Sequence, residues 1–433
     1  METMMQTTVD GLVADGLDLG FPLQRKELER AQMKRLRQTI EHARCHSSLY
    51  RKRFSALDVD ALIESKDLAQ LPFLTGADVV ERGHQLHCVS QSEVVRIITM
   101  YTSGSTGKPK RFSFTAADLA ATSEFFLRGM ASLVDQTDRV LVILPFATEA
   151  SVGGLLVAAL LRGGIRATGL WPPPDVSLVS ELIHARKITS VVGLPQQLLA
   201  LSSWVGHGQL RTMLLCSDYA AESLRRRIEQ NCGCQTFLHY GATESGLGGA
   251  VECSQHCGVH IRESDLLVEI VDSTTGEQLA DGLSGEIVLT TIGREAMPLI
   301  RYRTGDVATL ERGRCACGGV TARLCQMYGR LQDCTLADGS VISSQYLDDI
   351  LYQVVGLVDY RVTLSRGDVE RLDLEYIADS GAKEVGREID QLLRMLPEIA
   401  PMLGAKDSLP KNMQQVERFA STHTLKRTIL DLR

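Results

Sequence analysis

The stretch from Arg139 to His239 constrains the fold more than any other part of the chain. Short apolar runs stand at Arg139-Val-Leu-Val-Ile-Leu144, Ile188 to Val192, Thr212 to Cys216 and Gln235 to His239. Segments with helical spacing separate them, at 152–162, 178–187, 195–204 and 221–230. Unbroken apolar runs belong to strands buried on both faces. Strands alternating with helices predict an α/β fold with a mainly parallel sheet and helices on its faces.

After Tyr240 the pattern changes. Leu266 to Asp272, Gly285 to Thr291 and Asp306 to Glu311 alternate with Gly, Asp and Ser turns. They predict a smaller antiparallel, barrel-like subdomain at about 250–328. Beyond Gly329 a new unit is expected, with a helix near 344–354, strands at 358–364 and 370–376, and a helix at 383–395. At 433 residues the chain is too long for one compact core. The expected organisation is a large N-terminal domain, 1–328, and a small α+β C-terminal domain, 329–433.

Ten residues stand out before the alternating region: Tyr101-Thr-Ser-Gly-Ser-Thr-Gly-Lys-Pro-Lys110. Glycines let backbone N–H groups approach anionic oxygens. The hydroxyls of Ser103, Ser105 and Thr106 add donors, and Lys108 or Lys110 adds point charge for a phosphate. The common P-loop needs Gly, four residues, then Gly-Lys-Ser/Thr. Here Gly104 and Gly107 are closer, and Pro109 opposes an immediate helix. Apolar residues before the loop (Val94, Val95, Ile97, Ile98) and Phe112-Ser-Phe114 after it predict flanking strands.

Composition removes other partners. The net charge is −7 with no dense basic run, which argues against nucleic acid and against an anionic membrane surface. The most apolar stretch, Val152 to Leu161, is about half a membrane span. The first residues carry no secretory pattern. The 11 cysteines are therefore expected as reduced thiols in the cytoplasm.

The phosphate-type loop is followed by Tyr240-Gly-Ala-Thr-Glu244, Tyr302-Arg-Thr-Gly-Asp306 and Gly329-Arg-Leu-Gln-Asp333. In that order the four motifs resemble those of the adenylate-forming superfamily, which holds acyl-CoA synthetases, adenylation domains and luciferases. Pro298-Leu-Ile-Arg-Tyr-Arg-Thr-Gly-Asp306 and His42-Ala-Arg-Cys-His-Ser-Ser-Leu-Tyr-Arg51 look most like its phenylacetate-CoA ligase branch. The resemblance implies an AMP-forming carboxylic acid–CoA ligase that uses ATP, Mg²⁺ and CoA. It implies that Thr102, Ser103, Gly104, Ser105, Thr106, Gly107 and Lys110 cradle the departing phosphates. Tyr240, Gly241 and Ala242 would line adenine, Thr243 would bond the α-phosphate and Glu244 would hold Mg²⁺. Asp306 would take the ribose hydroxyls, and Arg330 the ribose or phosphate. Residues 216–219 stand where a loop lines adenine, in an unusual Cys-Ser-Asp-Tyr form. Relatives are often dimers, so a homodimer is expected. Gly241, Ala242, Gly246, Gly248 and Gly249 would leave space for an aryl or arylacetic acid.

The chain departs from the family in two places. Relatives end in a loop whose lysine bridges the carboxylate and the α-phosphate. Here the end reads Ser421-Thr-His-Thr-Leu-Lys-Arg427, and Lys426 is the candidate. Gln332 stands where the family has a hinge Asp or Lys, beside Asp333. These departures keep two alternatives open: adenylyl transfer to an acceptor other than CoA, or a nucleotide-binding protein that has lost catalysis.

Glu252-Cys253-Ser-Gln-His256-Cys257-Gly-Val-His260 and Arg314-Cys315-Ala-Cys317 offer four thiols and two imidazoles. Their spacing alone is open between metal binding and packed cysteines. Some phenylacetate-CoA-ligase-like proteins bind zinc through similar segments. That resemblance implies a structural Zn²⁺ on Cys253, His260, Cys315 and Cys317, with Cys257 and His256 as alternates.

Overall fold

A computed structural model describes residues 7–100, 109–331, 334–336, 338–366, 370–379, 381–403, 413–415 and 429–433. The N-terminal part begins with helices α1 (Thr8–Leu17), α2 (Arg25–His46), α3 (Ser48–Arg53) and α4 (Gly76–Arg82). Strands β1 (Arg96–Met100) and β2 (Lys110–Phe114) pair antiparallel, with Met100 opposite Lys110. Strands thus stand on both sides of the phosphate-type motif, as its apolar flanks predict. Helix α5 (Ala116–Met130) starts with a capping box between Thr115 and Asp118.

The alternating region follows as β3 (Arg139–Val142), α6 (Val152–Arg162), β4 (Arg166–Gly169), α7 (Val176–Arg186), β5 (Ser190–Gly193), α8 (Pro195–Ser202), β6 (Thr212–Leu215) and α9 (Glu222–Cys232). Next come β7 (Gln235–Tyr240), β8 (Ala250–Glu252), β9 (Val259–Ile261), β10 (Leu266–Val271), β11 (Gly285–Thr291), β12 (Tyr302–Glu311) and β13 (Arg323–Arg330). The last elements are β14 (Cys334–Thr335), β15 (Val341–Ile342), α10 (Ser344–Leu351), β16 (Leu357–Arg366), β17 (Glu370–Ala378), α11 (Ala382–Arg394), β18 (Met413–Gln415) and β19 (Leu430–Asp431).

The chain divides into two compact units. The first comprises Met1–Asp138, Pro145–Gly169 and Phe237–Met327. Its strands run in the order β10-β11-β12-β13-β9-β8-β7, and the pairs β7–β8, β8–β9, β9–β13, β10–β11 and β11–β12 are antiparallel. One apolar core holds Leu36, Ile40, Tyr50, Phe112, Phe114, Met297 and Tyr302. A second lies on Ile261, Leu266, Ile270, Ile287, Leu289 and Leu324, with Tyr240 packed against it.

The second unit comprises Arg139–Leu144, Leu170–Thr236 and Tyr328–Arg433. Here β3, β5 and β6 pair parallel, the arrangement the alternating pattern predicts. A separate sheet runs β18-β17-β16-β19. The Arg227 guanidinium of α9 donates to the carbonyls of Val354 (3.2 Å) and Leu357 (2.7 Å). No described helix is long and apolar enough to cross a membrane.

Candidate active site

Lys110, Glu244 and Tyr302 meet in the first unit although they lie far apart in sequence. Lys110 opens β2 and Tyr302 opens β12, so both sit at strand starts. The Lys110 ammonium donates to the Tyr302 hydroxyl at 2.8 Å and to Glu244 Oε1 at 3.2 Å. Tyr302 in turn donates to Glu244 Oε1 at 3.1 Å. Glu244 and Tyr302 are buried. Gly76 makes room at the edge of this triad, since a Cβ there would lie 3.2 Å from Lys110 Cε. An ammonium on a buried carboxylate is a charge-assisted contact of the strong kind.

Two further motif residues touch beside it. The Tyr240 hydroxyl donates to Asp306 Oδ2 at 3.0 Å. Tyr240 closes β7, and Asp306 lies inside β12 one residue after Gly305, whose φ is +77°. The Gly305 N–H donates to Glu286 Oε1 and the Asp306 N–H to Thr304 Oγ1, each at 3.0 Å. These bonds fix the backbone that carries the Asp306 carboxylate.

Thr243 and Glu244 lie in a tight turn. The Ala242 carbonyl accepts from the Leu247 N–H (2.9 Å) and the Ser245 hydroxyl (2.9 Å), and the Ala242 N–H donates to Ser245 Oγ (3.0 Å). Gly246 and Leu247 both have positive φ, +79° and +72°. The glycines here do not hollow out a pocket. A Cβ at Gly241 would come within 2.5 Å of the His239 ring, and one at Gly248 within 2.8 Å of Phe125 and Phe126. They allow close packing of the turn. The expectation that they make space for an aryl group is corrected by this contact.

His239 is part of that packing. Its Nε2 is sealed and has no hydrogen-bond partner among the described residues, though the residue as a whole is only half-buried. Burial, with the Arg262 charge beside it, pulls the imidazole down to about 4. The ring is neutral at physiological pH.

The remaining expected residues fall elsewhere. Arg330 closes β13 and belongs to the second unit. In that unit the 216–219 loop is tied down by Gln196, whose amide donates to Asp218 at 3.0 Å, and by the Tyr219 hydroxyl, which donates to Asp349 at 2.8 Å. Thr102, Ser103, Gly104, Ser105, Thr106, Gly107, Gln332, Asp333 and Lys426 lie outside the described residues. Sequence reasoning gave no role to Tyr302, although it stands in a quoted motif.

The Cys/His segments also come together in the first unit. Cys253, His260, Cys315 and Cys317 place their ligand atoms within 4.8 Å of one another. Cys253 and Cys315 sulfurs are 3.9 Å apart, and Cys317 Sγ is 3.4 Å from His260 Nε2. A tetrahedral zinc site needs about 3.8 Å between sulfurs and about 3.6 Å from sulfur to nitrogen. The donor set and its spacing fit a closed zinc site. The hydrogen bond from Cys317, with His260 close by, holds the Cys253 thiol well below the ordinary thiol range.

A second layer fixes His260. Asp10 of α1 is buried and accepts from the N–H groups of Val320 and Thr321, each at 3.0 Å. It also accepts from the Thr321 hydroxyl at 2.7 Å, and that hydroxyl lies 2.9 Å from His260 Nδ1. The hydroxyl has one proton and spends it on Asp10, so it accepts from Nδ1–H. That tautomer leaves Nε2 bare and facing Cys317, as a ligand requires.

Fold and site together define an adenylate-forming ligase architecture. The chain belongs to the AMP-binding enzyme family, that of AMP-forming acid–CoA ligases: a family model described as AMP-binding enzyme matches residues 23–294. The phenylacetate-coenzyme A ligase of Thermus thermophilus is 28% identical to it over 85% of this chain and 85% of its own length. That of Escherichia coli is 28% identical over 75% of this chain and 76% of its own. A 2-hydroxyisobutyryl-CoA ligase, solved in its postadenylation state with R3-HIB-AMP, aligns with a TM-score of 0.76 at 19% identity, over 96% of this chain and 94% of its own. At that identity the likeness is one of fold.

Proposed function

We propose that this enzyme activates an aryl or arylacetic acid with ATP and transfers the acyl group to CoA. The observation that carries the reading is the meeting of Lys110, Tyr302 and Glu244 beside the Tyr240–Asp306 pair, which gathers three separated motifs into one unit. The aryl preference rests on the phenylacetate-coenzyme A ligases among its relatives.

A carboxylate is a poor acyl donor because its leaving group would be oxide. In the first step a carboxylate oxygen forms a bond to the α-phosphorus of ATP, and the bond from that phosphorus to the bridging oxygen breaks, releasing pyrophosphate. In the second the CoA thiolate sulfur bonds to the acyl carbon and AMP leaves with its oxygen. Both steps need positioning and charge neutralisation more than covalent catalysis.

Asp306 accepts from the ribose hydroxyls, with Tyr240 setting its orientation and packing on adenine beside Gly241 and Ala242. Thr243 donates to the α-phosphate. Glu244 is the Mg²⁺ ligand, and bound Mg²⁺ supplies charge neutralisation on the phosphate oxygens. Lys110 leaves Glu244 and turns to the phosphates, joining the loop residues Thr102 to Gly107. Arg330 reaches the ribose from the small domain, 329–433, which pivots at 330–333 between the two steps. Lys426 bridges the carboxylate and the α-phosphate during adenylation. Zinc on Cys253, His260, Cys315 and Cys317 is structural, since four protein ligands leave no open position. The enzyme works in the cytoplasm as a homodimer on small molecules, and its net charge of −7 argues against nucleic acid or an anionic membrane surface as partner.

The test is carboxylate-dependent pyrophosphate exchange with a panel of aryl, arylacetic and short acids, followed by CoA addition. Exchange and thioester formation with an aryl or arylacetic acid are expected. No exchange with any acid, in protein that binds ATP, overturns the reading. Exchange without thioester points to a different acceptor.

A further inference from the structure

Arg262 and Arg294 carry buried guanidiniums, 5% and 8% exposed, and neither has a carboxylate at ion-pair distance among the described residues. Each spends one N–H group on the turn that holds Thr243 and Glu244. Arg294 Nη1 donates to the Glu244 carbonyl and Arg262 Nη2 to the Ser245 carbonyl, both at 3.0 Å. Thr122 Oγ1 donates to the next carbonyl, that of Gly246, at 2.7 Å. Three side chains thus hold three consecutive carbonyls.

The turn needs that support. Leu247 sits at φ +72°, in the left-handed region that its branched side chain disfavours. Gly246 lies so close to Arg262 that a Cβ would fall 2.8 Å from Nη2. The Cζ atoms of Arg262 and Arg294 lie over the Phe125 and Phe114 rings, at 5.4 Å and 4.3 Å from the centroids. Their remaining donors, Arg262 Nε and Nη1 and Arg294 Nε and Nη2, have no partner among the described residues. Of the acids nearby, Asp265 accepts from the Ser264 hydroxyl, and the oxygens of Asp118 accept from the N–H groups of Thr115, Glu295 and Ala296. Burial lowers both arginines, Arg294 to about 10, which leaves Arg294 charged at neutral pH.

A neutral amide could bond these carbonyls without the desolvation cost of a charge. The two charges therefore have a use beyond the hydrogen bond. They stand behind Glu244, whose present counter-ion is the Lys110 ammonium. We propose that Arg262 and Arg294 are positioning residues for adenylation, which hold the Thr243–Gly246 turn so that Glu244 keeps its place when Mg²⁺ replaces Lys110. The proposal rests on the reading of Glu244 as the Mg²⁺ ligand. With the turn braced, Glu244 keeps its backbone position when Lys110 leaves, and the fixed charge of Arg294 still acts on its carboxylate.

The test compares the full-length wild type with R294M, R294K, R262M and R262K. Two quantities are read: the Mg²⁺ concentration for half-maximal pyrophosphate exchange, and ATP affinity in EDTA by calorimetry. Losing one charge-assisted bond should raise the Mg²⁺ requirement about tenfold or more in the Met variants. The Lys variants, which keep charge and one donor, should fall between, and ATP affinity in EDTA should stay within about twofold of wild type. An unmoved Mg²⁺ requirement in variants that bind metal-free ATP normally overturns the proposal. If the Met variants do not fold, the Lys variants carry the same comparison. Failure of the wild type to exchange with any acid sinks the functional reading instead, and Mg²⁺-dependent ATP binding in the same variants still decides the positioning role.

Discussion

Asp306 and His239 show how differently two neighbours of Tyr240 carry information. Asp306 is read directly from its motif, and its oxygen meets the Tyr240 hydroxyl. Asp306→Asn keeps the shape and removes the charge. A hydrogen bond to a charged group contributes about 1.5–3 kcal/mol, so KM for ATP should rise roughly 10- to 100-fold while kcat falls less; exchange kinetics at varied ATP would check this. His239 gives no such signal in the sequence, because its neutrality comes from long-range packing against Phe125 and Arg262. Its folded value of about 4 lies below the ordinary 6.5. Between those values the unfolded chain binds a proton that the folded chain refuses. The histidine's contribution is complete above 6.5 and is lost as pH falls towards 4, on the order of 3 kcal/mol in all. Melting curves across that window should be less pH-dependent in His239→Asn than in the wild type.

Helix α1 lies at the start of the chain, yet Asp10 on it sets the proton on His260 through Thr321. Asp10→Ala should weaken zinc retention by about 10- to 100-fold, the usual effect of removing such outer partners, as measured by competition with a chromophoric chelator. The coupling runs both ways, so chelation of the wild type should speed hydrogen exchange in residues 8–17. Unchanged exchange there would detach α1 from the metal loop. The elements themselves were largely legible. Helices and strands of the alternating region fall within a few residues of their expected places, because buried strands and amphipathic helices write their periods locally. Strand β12 was expected from Asp306 and begins at Tyr302. Tyr302-Arg-Thr-Gly shows no alternation, and its place in the sheet is set by pairing with the preceding strand β11, Leu289 with Tyr302 and Val288 with Arg303, rather than by its own pattern. The arginine brace and the Asp10 relay leave no mark in the local pattern, because each joins segments far apart in sequence.

Across the whole molecule, the four motifs span the chain from the hairpin β1–β2 to the end of β13, and Lys426 lies beyond them all. Lys426→Ala should slow pyrophosphate exchange by about a hundredfold, the scale of one lost electrostatic contact in a transition state, and leave thioester formation from preformed acyl-AMP nearly intact. Equal loss in both half-reactions would assign Lys426 to something other than the first step. The Cys253–Cys315 approach at 3.9 Å has a consequence for handling the protein. Thiols held that close are one oxidation from a cross-link. Metal bound to the sulfurs would guard them from air. Protein stripped by a chelator and left without reductant should lose two hydrogens in mass and refuse zinc until reduced, so its shelf life would report on the fate of the metal.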